Sequence, residues 1–150
     1  MTSHRAVFTV TAGPNDGDTV SIDQGSCRLI GRHLSETETA FIDRDGNRIL
    51  DSAAADILTK HLKERAPDVT IGGVSAFNAE AFDRGPDVIF ADDSISRAHA
   101  MLFYDNSGVG IIDLASTNGT FINTERVGSS LVADGDVIAL GNSELAVKIR

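Results

Sequence analysis

The sequence predicts an all-β fold, an antiparallel β-sandwich of short strands with one α-containing insertion. Short runs rich in Val, Ile, Phe and Thr alternate with Gly, Asp, Asn and Ser over most of the 150 residues, as strands alternate with tight turns. These runs recur at regular spacing in the first and last parts of the chain, which is typical of two packed antiparallel sheets. Residues 33–86 depart from this pattern and are predicted to be an insertion within a single domain, 1–150.

Before the insertion, the pattern predicts three strands. Residues 5–11 alternate apolar and polar side chains, as expected of a strand that is buried on one face. Gly and Pro in 13–17 indicate a turn. Residues 19–22 and 28–31 are the next two short strands.

The insertion is predicted to contain a hairpin and a helix. The hairpin, 41–50, is centred on Asp45, Gly46 and Asn47. A helix of about 52–65 follows, because Ala54, Ile57, Leu58, His61 and Leu62 fall on one helical face. Pro67 stops this helix. Residues 69–71 are a possible strand, and 78–82 a short helical turn.

After residue 87 the strand pattern returns, with Gly-containing turns between the runs. The predicted strands are 88–90, 99–104, 109–114, 120–122, 126–127, 137–140 and 144–149.

Charge and composition limit the possible partners. The net charge of −9 argues against non-specific binding to nucleic acid or to an anionic membrane. An anion site must therefore be a local patch of arginines. Cys27 is the only cysteine, so no intrachain disulfide can form, which fits a reducing compartment. No apolar run suggests a signal peptide or a membrane span, so a cytoplasmic location is expected.

Three short motifs occur in order on this strand-rich frame. They are Gly31-Arg32, Ser96-Arg97-Ala98-His99 and Thr117-Asn118-Gly119. Their order and spacing resemble the forkhead-associated (FHA) family over residues 1–32 and 87–150. The resemblance implies a sandwich of about eleven strands, with the insertion falling between the third and fourth. It also implies a module without a cofactor that binds phosphothreonine peptides through the loops at one end, downstream of a Ser/Thr protein kinase, plausibly bacterial.

The resemblance assigns the ligand-contacting side chains. Arg32 is expected to contact the phosphate or the peptide backbone, and Arg97 to add a second positive charge. The Ser96 and Thr117 hydroxyls are expected to donate to the phosphate, while Asn118 fixes the ligand's main chain. Each assignment has a purely structural alternative. Arg32 could be a rim arginine paired with an aspartate, and Ser96 could cap a turn beside a solvated Arg97. Asn118 and Gly119 could form a type I′ hairpin turn.

Three further residues are expected to support the site. His99 braces the binding loop by hydrogen bonds, Gly31 precedes the first arginine, and Gly119 serves the turn after Asn118.

The sequence argues against an enzyme and against a metal-binding protein. Ser96 and His99 resemble a nucleophile and base, but no nucleophile elbow or Walker motif supports an enzyme. The histidines lack metal-ligand spacing, and the acidic run 43–51 lacks the positions of a calcium loop. The remaining alternative is a phosphate-independent interaction or self-association domain that uses the insertion, which begins directly after Arg32.

Overall fold

A computed structural model describes residues 5–34, 46–50, 52–65, 70–71, 74–75, 83–105 and 108–149. The strands of this part of the chain are β1 (Arg5–Ala12), β2 (Thr19–Asp23), β3 (Ser26–Arg32), β4 (Thr70–Ile71), β5 (Val74–Ser75), β6 (Asp83–Arg84), β7 (Val88–Phe90), β8 (Ala100–Asp105), β9 (Gly108–Asp113), β10 (Thr120–Ile122), β11 (Glu125–Val127), β12 (Ser129–Leu131), β13 (Val137–Leu140) and β14 (Ser143–Ile149). A helix, α1 (Ser52–Arg65), lies between β3 and β4.

The strands form two large sheets, which confirms the predicted β-sandwich. The first has the order β11-β10-β13-β14-β1-β2, and the second has the order β12-β9-β8-β3-β6 with β7 also paired to β3. Apart from the three short strands β4, β5 and β6 of the insertion, the described sandwich has eleven strands. Most pairs are antiparallel, but β3 pairs in parallel with β6 and β7. Parallel neighbours need a long crossover, which the inserted segment supplies.

The main core fills the space between the two sheets. Phe8 and Ile138 from the first sheet and Leu102 and Ile111 from the second belong to one buried cluster. Alternation along the strands places these side chains inward. The inner faces therefore hold the sheets together by burial of apolar surface.

A second buried cluster lies on the outer face of the second sheet, beneath α1. Leu58 of the helix packs with Leu29, Met101 and Phe103. Strand β8 is therefore buried along its whole length. Complete burial of Leu58 contributes about 2 kcal/mol. The amphipathic helix thus packs on the sandwich, as its apolar face indicates.

The observed elements depart from the sequence-based prediction mainly at their ends. Strand β8 begins at Ala100, one residue after the predicted start, and β9 begins at Gly108. Strand β12 was not predicted, because its run is short and begins with two serines. Residues 41–45 of the predicted hairpin at 41–50 and all of the helical turn at 78–82 lie outside the described residues.

The β10–β11 hairpin contains a strained residue. Its two-residue turn has φ of 49° at Asn123 and 72° at Thr124, which is the type I′ geometry that favours Asn-Gly. Thr124→Gly is therefore expected to raise the free energy of unfolding by about 1 kcal/mol, because an L residue at positive φ costs about 1–2 kcal/mol. Urea unfolding measures this, with Thr124→Ala as the control that keeps a Cβ atom. The prediction would be contradicted if Thr124→Gly unfolded at a urea midpoint no higher than that of Thr124→Ala.

Candidate functional site

A cleft opens at the edge of the second sheet where β3, β7 and β9 end and β8 begins. Its volume is about 600 Å³, and its lining includes every residue predicted to contact ligand: Arg32, Ser96, Arg97, Thr117 and Asn118. The fold thus brings together three motifs that lie far apart in the sequence. Arg97, Thr117 and Asn118 are exposed, and Arg32 and Ser96 are half-buried.

His99 joins the two loops that border the cleft. Its ring is fully buried. The Ser96 backbone N–H donates to His99 Nδ1 at 3.1 Å, and Nε2 lies 2.9 Å from the Gly119 carbonyl oxygen. Because Nδ1 accepts, Nε2 carries the proton and donates. This arrangement holds both loops through backbone groups, and the imidazole is bonded to the amide of Ser96 rather than to its hydroxyl.

The Ser96 hydroxyl and the Asn118 amide make further links between these loops. Ser96 Oγ accepts from the Thr117 backbone N–H at 3.0 Å. A hydroxyl that accepts one hydrogen bond still has its own O–H to donate. Ser96 can therefore brace the loop and bind an anion at the same time. Asn118 Nδ2 donates to the Ser94 carbonyl at 2.8 Å. The Asn118 side chain retains its carbonyl oxygen and a second N–H for a ligand.

Arg32 braces the loop before β8 from the other side. Its backbone N–H donates to the Ser96 carbonyl, and its Nε donates to the Ile95 carbonyl, each at 3.1 Å. Both contacts are to the backbone of the loop that carries Ser96 and Arg97.

Two glycines permit the close approach of these segments. A Cβ atom on Gly31 would lie 2.1 Å from the Arg97 carbonyl oxygen, so only glycine fits at this position of β3. Gly119 has φ of 87°, but the φ of Asn118 is not positive, although a type I′ turn requires positive φ at both central residues. The segment is therefore not a type I′ turn. It connects β9 and β10, which belong to different sheets.

Two aspartates that the motifs do not include, the buried Asp92 and the partly buried Asp113, hold the loops in place. Asp92 accepts from the Ser94 and Asn142 backbone N–H groups and from the Ser143 hydroxyl, at 2.8–2.9 Å. Burial alone would raise the pKa of Asp92, but these hydrogen bonds outweigh it and lower the pKa below its ordinary value. The carboxylate therefore stays ionised and ties the loop after β7 to the β13–β14 turn.

Asp113 performs the same task for the other loop. It accepts from the Ser116 hydroxyl and amide and from the Thr120 hydroxyl. The Ser116 hydroxyl in turn accepts from the Gly119 backbone N–H at 3.0 Å. The sequence holds one local signal for this role, an Asp followed three residues later by Ser, a common turn-capping pattern.

The inserted segment forms one wall of the cleft. Arg48 is buried, and its guanidinium donates to the Arg97 carbonyl. Its backbone N–H donates to Asp87 at 2.7 Å, and its carbonyl accepts from Arg84 at 2.7 Å. Ile49, Leu50 and Ala54 line the same cleft. The described part of the insertion thus borders the cleft, and it is attached to the loop that carries Ser96.

Electrostatically, the cleft differs from the rest of the chain. Among the described residues, its lining contains the three arginines Arg32, Arg48 and Arg97 and one acidic residue, Asp93, whereas the whole chain carries −9. Within the described ranges, no group of three or more His, Cys, Asp or Glu side chains could hold a metal ion. No helix in the same ranges has the length and hydropathy to cross a bilayer.

The comparisons with known proteins point to one family. Residues 79–141 match the family model of the FHA domain. FhaA, an FHA domain-containing protein of Mycobacterium tuberculosis, is 43% identical over 69 residues, covering 45% of this chain and 13% of FhaA. The glycogen accumulation regulator GarA of the same species is 41% identical over 64 residues, covering 41% of this chain and 40% of GarA. The chain spans less than half the length of these curated relatives.

Solved structures agree on the fold. The solution structure of an Arabidopsis thaliana FHA domain superimposes with a TM-score of 0.57 at 21% identity, covering 97% of this chain and 86% of that one. The crystal structure of the FhaA FHA domain gives 0.52 at 22% identity, covering 95% and 99%. The fold is therefore an FHA-type sandwich. Residues 79–141, which carry the match to the family model, include the second and third motifs of the cleft.

The buried His99 makes stability depend on pH. Burial, the largest influence, lowers its pKa below the ordinary value of 6.5. As the pH falls, the imidazole of the unfolded chain is therefore protonated before the imidazole of the folded chain. The contribution of neutral His99 to the free energy of unfolding is complete above pH 6.5 and is lost as the pH falls toward the lowered pKa of the folded state. Between about pH 7.5 and 5.5 we expect the free energy of unfolding of the wild type to fall by about 1 kcal/mol more than that of His99→Gln. The glutamine offers one donor and one acceptor but does not titrate. Urea unfolding at both pH values measures this difference. Equal losses in the two proteins would contradict it.

Proposed function

We propose that this chain is a phosphothreonine-peptide-binding module that acts in Ser/Thr-kinase-dependent signalling or assembly. The observation that carries the proposal is the convergence of Arg32, Ser96, Arg97, Thr117 and Asn118 on one open cleft. Arginine charge is concentrated there against an acidic background.

The chemistry of the cleft suits a phosphate ester. Phosphothreonine carries nearly two negative charges and three strong acceptor oxygens at neutral pH. The Ser96 hydroxyl, the Thr117 hydroxyl and the Arg97 guanidinium are donors that line the same cleft. A charge-assisted hydrogen bond is worth roughly 1.5–3 kcal/mol. Two or three of them, less the cost of ordering the peptide, support affinities near micromolar.

The relatives support the same reading. One FHA structure, with a TM-score of 0.53 and 23% identity, comes from a study of phosphothreonine-dependent FHA domain interactions. The FhaA domain was solved in complex with the intracellular domain of another protein, and EmbR of M. tuberculosis with a low-affinity phosphopeptide. By analogy, we propose that the partner here is a protein whose threonine is phosphorylated by an upstream Ser/Thr protein kinase.

We also propose that the chain acts without catalysis, as a cytoplasmic protein. His99 is occupied by two backbone groups, so it is poorly placed to activate the Ser96 hydroxyl as a nucleophile. Residues 1–150 are proposed to form one domain in which 33–86 is an insertion.

A set of peptide triplets tests the function. Each triplet presents the same degenerate sequence with phosphothreonine, phosphoserine or threonine at the centre, and binding is measured by fluorescence anisotropy. Phosphothreonine peptides are expected to bind at least about 30-fold more tightly than their threonine twins, because the phosphate contacts are worth 2 kcal/mol or more. Equal binding of the twins would instead favour a phosphate-independent interaction domain.

A further inference from the structure

We propose that the outer face of the first sheet binds a second copy of this chain, with the two β14 strands antiparallel across a two-fold axis near Ala146. The two copies would contact each other through the same surface, as partners in a two-fold dimer do. The inference goes beyond the proposed function and does not depend on it.

The outer face of the first sheet is apolar at its centre. Side chains alternate along each strand, and the outward ones of an antiparallel sheet are usually polar. The register places Phe121 beside Ala139 and Val137 beside Ala146. With Val7 of β1, these five outward side chains form one continuous patch, which we call the flat patch.

The flat patch is uncovered by any described element. Val137 is 37% exposed, and the other four residues are half-buried. The outer face of the second sheet is different, because α1 packs on it through the buried Leu58. A contiguous exposed apolar patch is a common mark of an interaction site, and covering it removes apolar surface from water.

The charges around the flat patch favour a second copy of this chain as its partner. The outward-facing charged side chains of the described strands in this sheet are three basic and two acidic, a net charge of +1, against −9 for the whole chain. They are Arg5, Arg126, Lys148, Asp23 and Glu144. Two copies can therefore approach through this face with little of the repulsion that their net charge creates elsewhere.

The positions of Glu144 and Lys148 define how two copies fit together. Both side chains are exposed, and Ala146 lies midway between them on β14. They are about 13 Å apart along the strand, too far to pair with each other. A two-fold axis near Ala146, perpendicular to β14 and parallel to the sheet, reverses β14 of the second copy. Each Glu144 then faces Lys148 of the other copy.

Small side chains at the centre of the face allow this contact. Packed sheets lie about 10 Å apart, and the Ala139 and Ala146 side chains leave room for that approach. Glutamate and lysine side chains are long enough to meet across such a gap. The same axis forms the Glu144–Lys148 pair twice, so the contact is self-complementary in charge as well as in shape.

The size of the face predicts a weak, reversible dimer. Six strands make a face roughly 25 Å wide and about 20 Å long, so a pair would bury roughly 1,000 Å² in total. That area is near the lower limit of specific interfaces. We therefore expect a Kd of about 10–100 µM.

Dimerisation would leave both clefts accessible. The flat patch contributes no residue to the described lining of the cleft. The cleft lies near the Ser143 end of β14, which Asp92 ties to the loop after β7. Because the two-fold axis reverses β14, the two clefts would face opposite ends of the dimer. Such a dimer could join two ligand-bearing partners.

The test is sedimentation equilibrium of the chain from about 5 to about 500 µM, a range that brackets the expected Kd. The wild type is expected to pass from monomer to dimer over this range. Lys148→Glu and Glu144→Lys are each expected to weaken the dimer at least about tenfold, because two attractive pairs become two repulsive ones. The double variant, Glu144→Lys with Lys148→Glu, restores both pairs and is expected to dimerise as the wild type does.

The matched control is Lys60→Glu. Lys60 is exposed on α1, away from the first sheet, so the same change of charge should leave the dimer as strong as in the wild type. Thermal melting checks that every variant is folded, which we expect because Glu144 and Lys148 are exposed.

Three results would overturn the inference: a wild type that stays monomeric throughout, a dimer that neither single reversal weakens, or a double variant that does not recover the dimer. Phosphopeptide binding measured in parallel separates this inference from the proposed function. Lys148→Glu is expected to keep the phosphate dependence of the wild type. A wild type that dimerises but binds phosphorylated and unphosphorylated peptides alike would refute the proposed function and leave the dimer standing.

Discussion

Ser96→Ala is expected to weaken phosphothreonine-peptide binding roughly 30- to 150-fold, which corresponds to about 2–3 kcal/mol. Two effects combine in this loss. The substitution removes a hydroxyl that can donate to the phosphate, and it removes the acceptor of the Thr117 backbone N–H at 3.0 Å. Thr117, whose hydroxyl is a second proposed phosphate donor, would then be less well positioned. Isothermal titration with a phosphothreonine peptide measures the change.

The control is Ser130→Ala. Ser130 lies on β12, and its hydroxyl donates to the neighbouring Leu131 carbonyl. It should bind peptide as the wild type does. Thermal melting of both variants separates a binding defect from an unfolded protein, because Ser96 is half-buried at the surface and its loss should leave the core intact. Equal affinity of Ser96→Ala and the wild type would remove Ser96 from the site.

Gly31→Ala is expected to affect both stability and binding. The added Cβ would lie 2.1 Å from the Arg97 carbonyl oxygen and 2.7 Å from Arg48 Nη1, and the first of these is backbone that cannot move alone. Overpacking of a buried position costs about 3 kcal/mol when the neighbours are fixed. Relief of the clash would displace the loop that carries Ser96 and break the contact between Arg48 and that loop. We therefore expect a loss of about 3 kcal/mol in urea unfolding together with loss of peptide binding.

Gly128→Ala is the matched control for this glycine. Gly128 has open space where a Cβ would be placed, and its φ is not in the positive range. The same chemical change should therefore cost less than about 1 kcal/mol there and leave binding unaffected. A Gly31→Ala protein as stable as Gly128→Ala would mean that the close approach of β3 to the Arg97 loop is not maintained in solution.

Much of the architecture could be predicted from local patterns. The period-two alternation of 5–11 locates β1, and the apolar face around Leu58 locates α1, because both signals depend on residues close in sequence. The three motifs identified the loops that border the cleft, since turn and phosphate-binding chemistry require particular residue types there. The eleven-strand sandwich followed from the family resemblance rather than from periodicity.

The resemblance implied the bracing role of His99, but the other contacts that hold the site together could not be predicted. Asp92 and Asn142 meet across fifty residues, and Arg48 reaches Arg97 from the insertion. Such pairs depend on tertiary packing, and no spacing in the sequence distinguishes Arg48 from the other basic residues of the insertion. The parallel pairing of β7 with β3 was missed for the same reason, because it depends on where the insertion returns the chain to the sheet.

The loop-bracing role of two predicted ligand contacts, Arg32 and Asn118, is seen only in the structure. Arg32 and Asn118 are predicted to contact ligand, and both also make hydrogen bonds that brace the loops. Preorganised donors lose less entropy when they bind. We therefore expect these side chains to act through loop geometry as well as through contact with the peptide.

The most direct test of the central claim is an amide NMR titration of the isotope-labelled chain with a phosphothreonine peptide and its unphosphorylated twin. The phosphopeptide is expected to shift the amide signals of Ser96, Arg97, Thr117 and Asn118 first and most strongly, and the twin is expected to leave them unchanged at the same concentration. Shifts of equal size with both peptides, or shifts confined to strands remote from the cleft, would contradict the account.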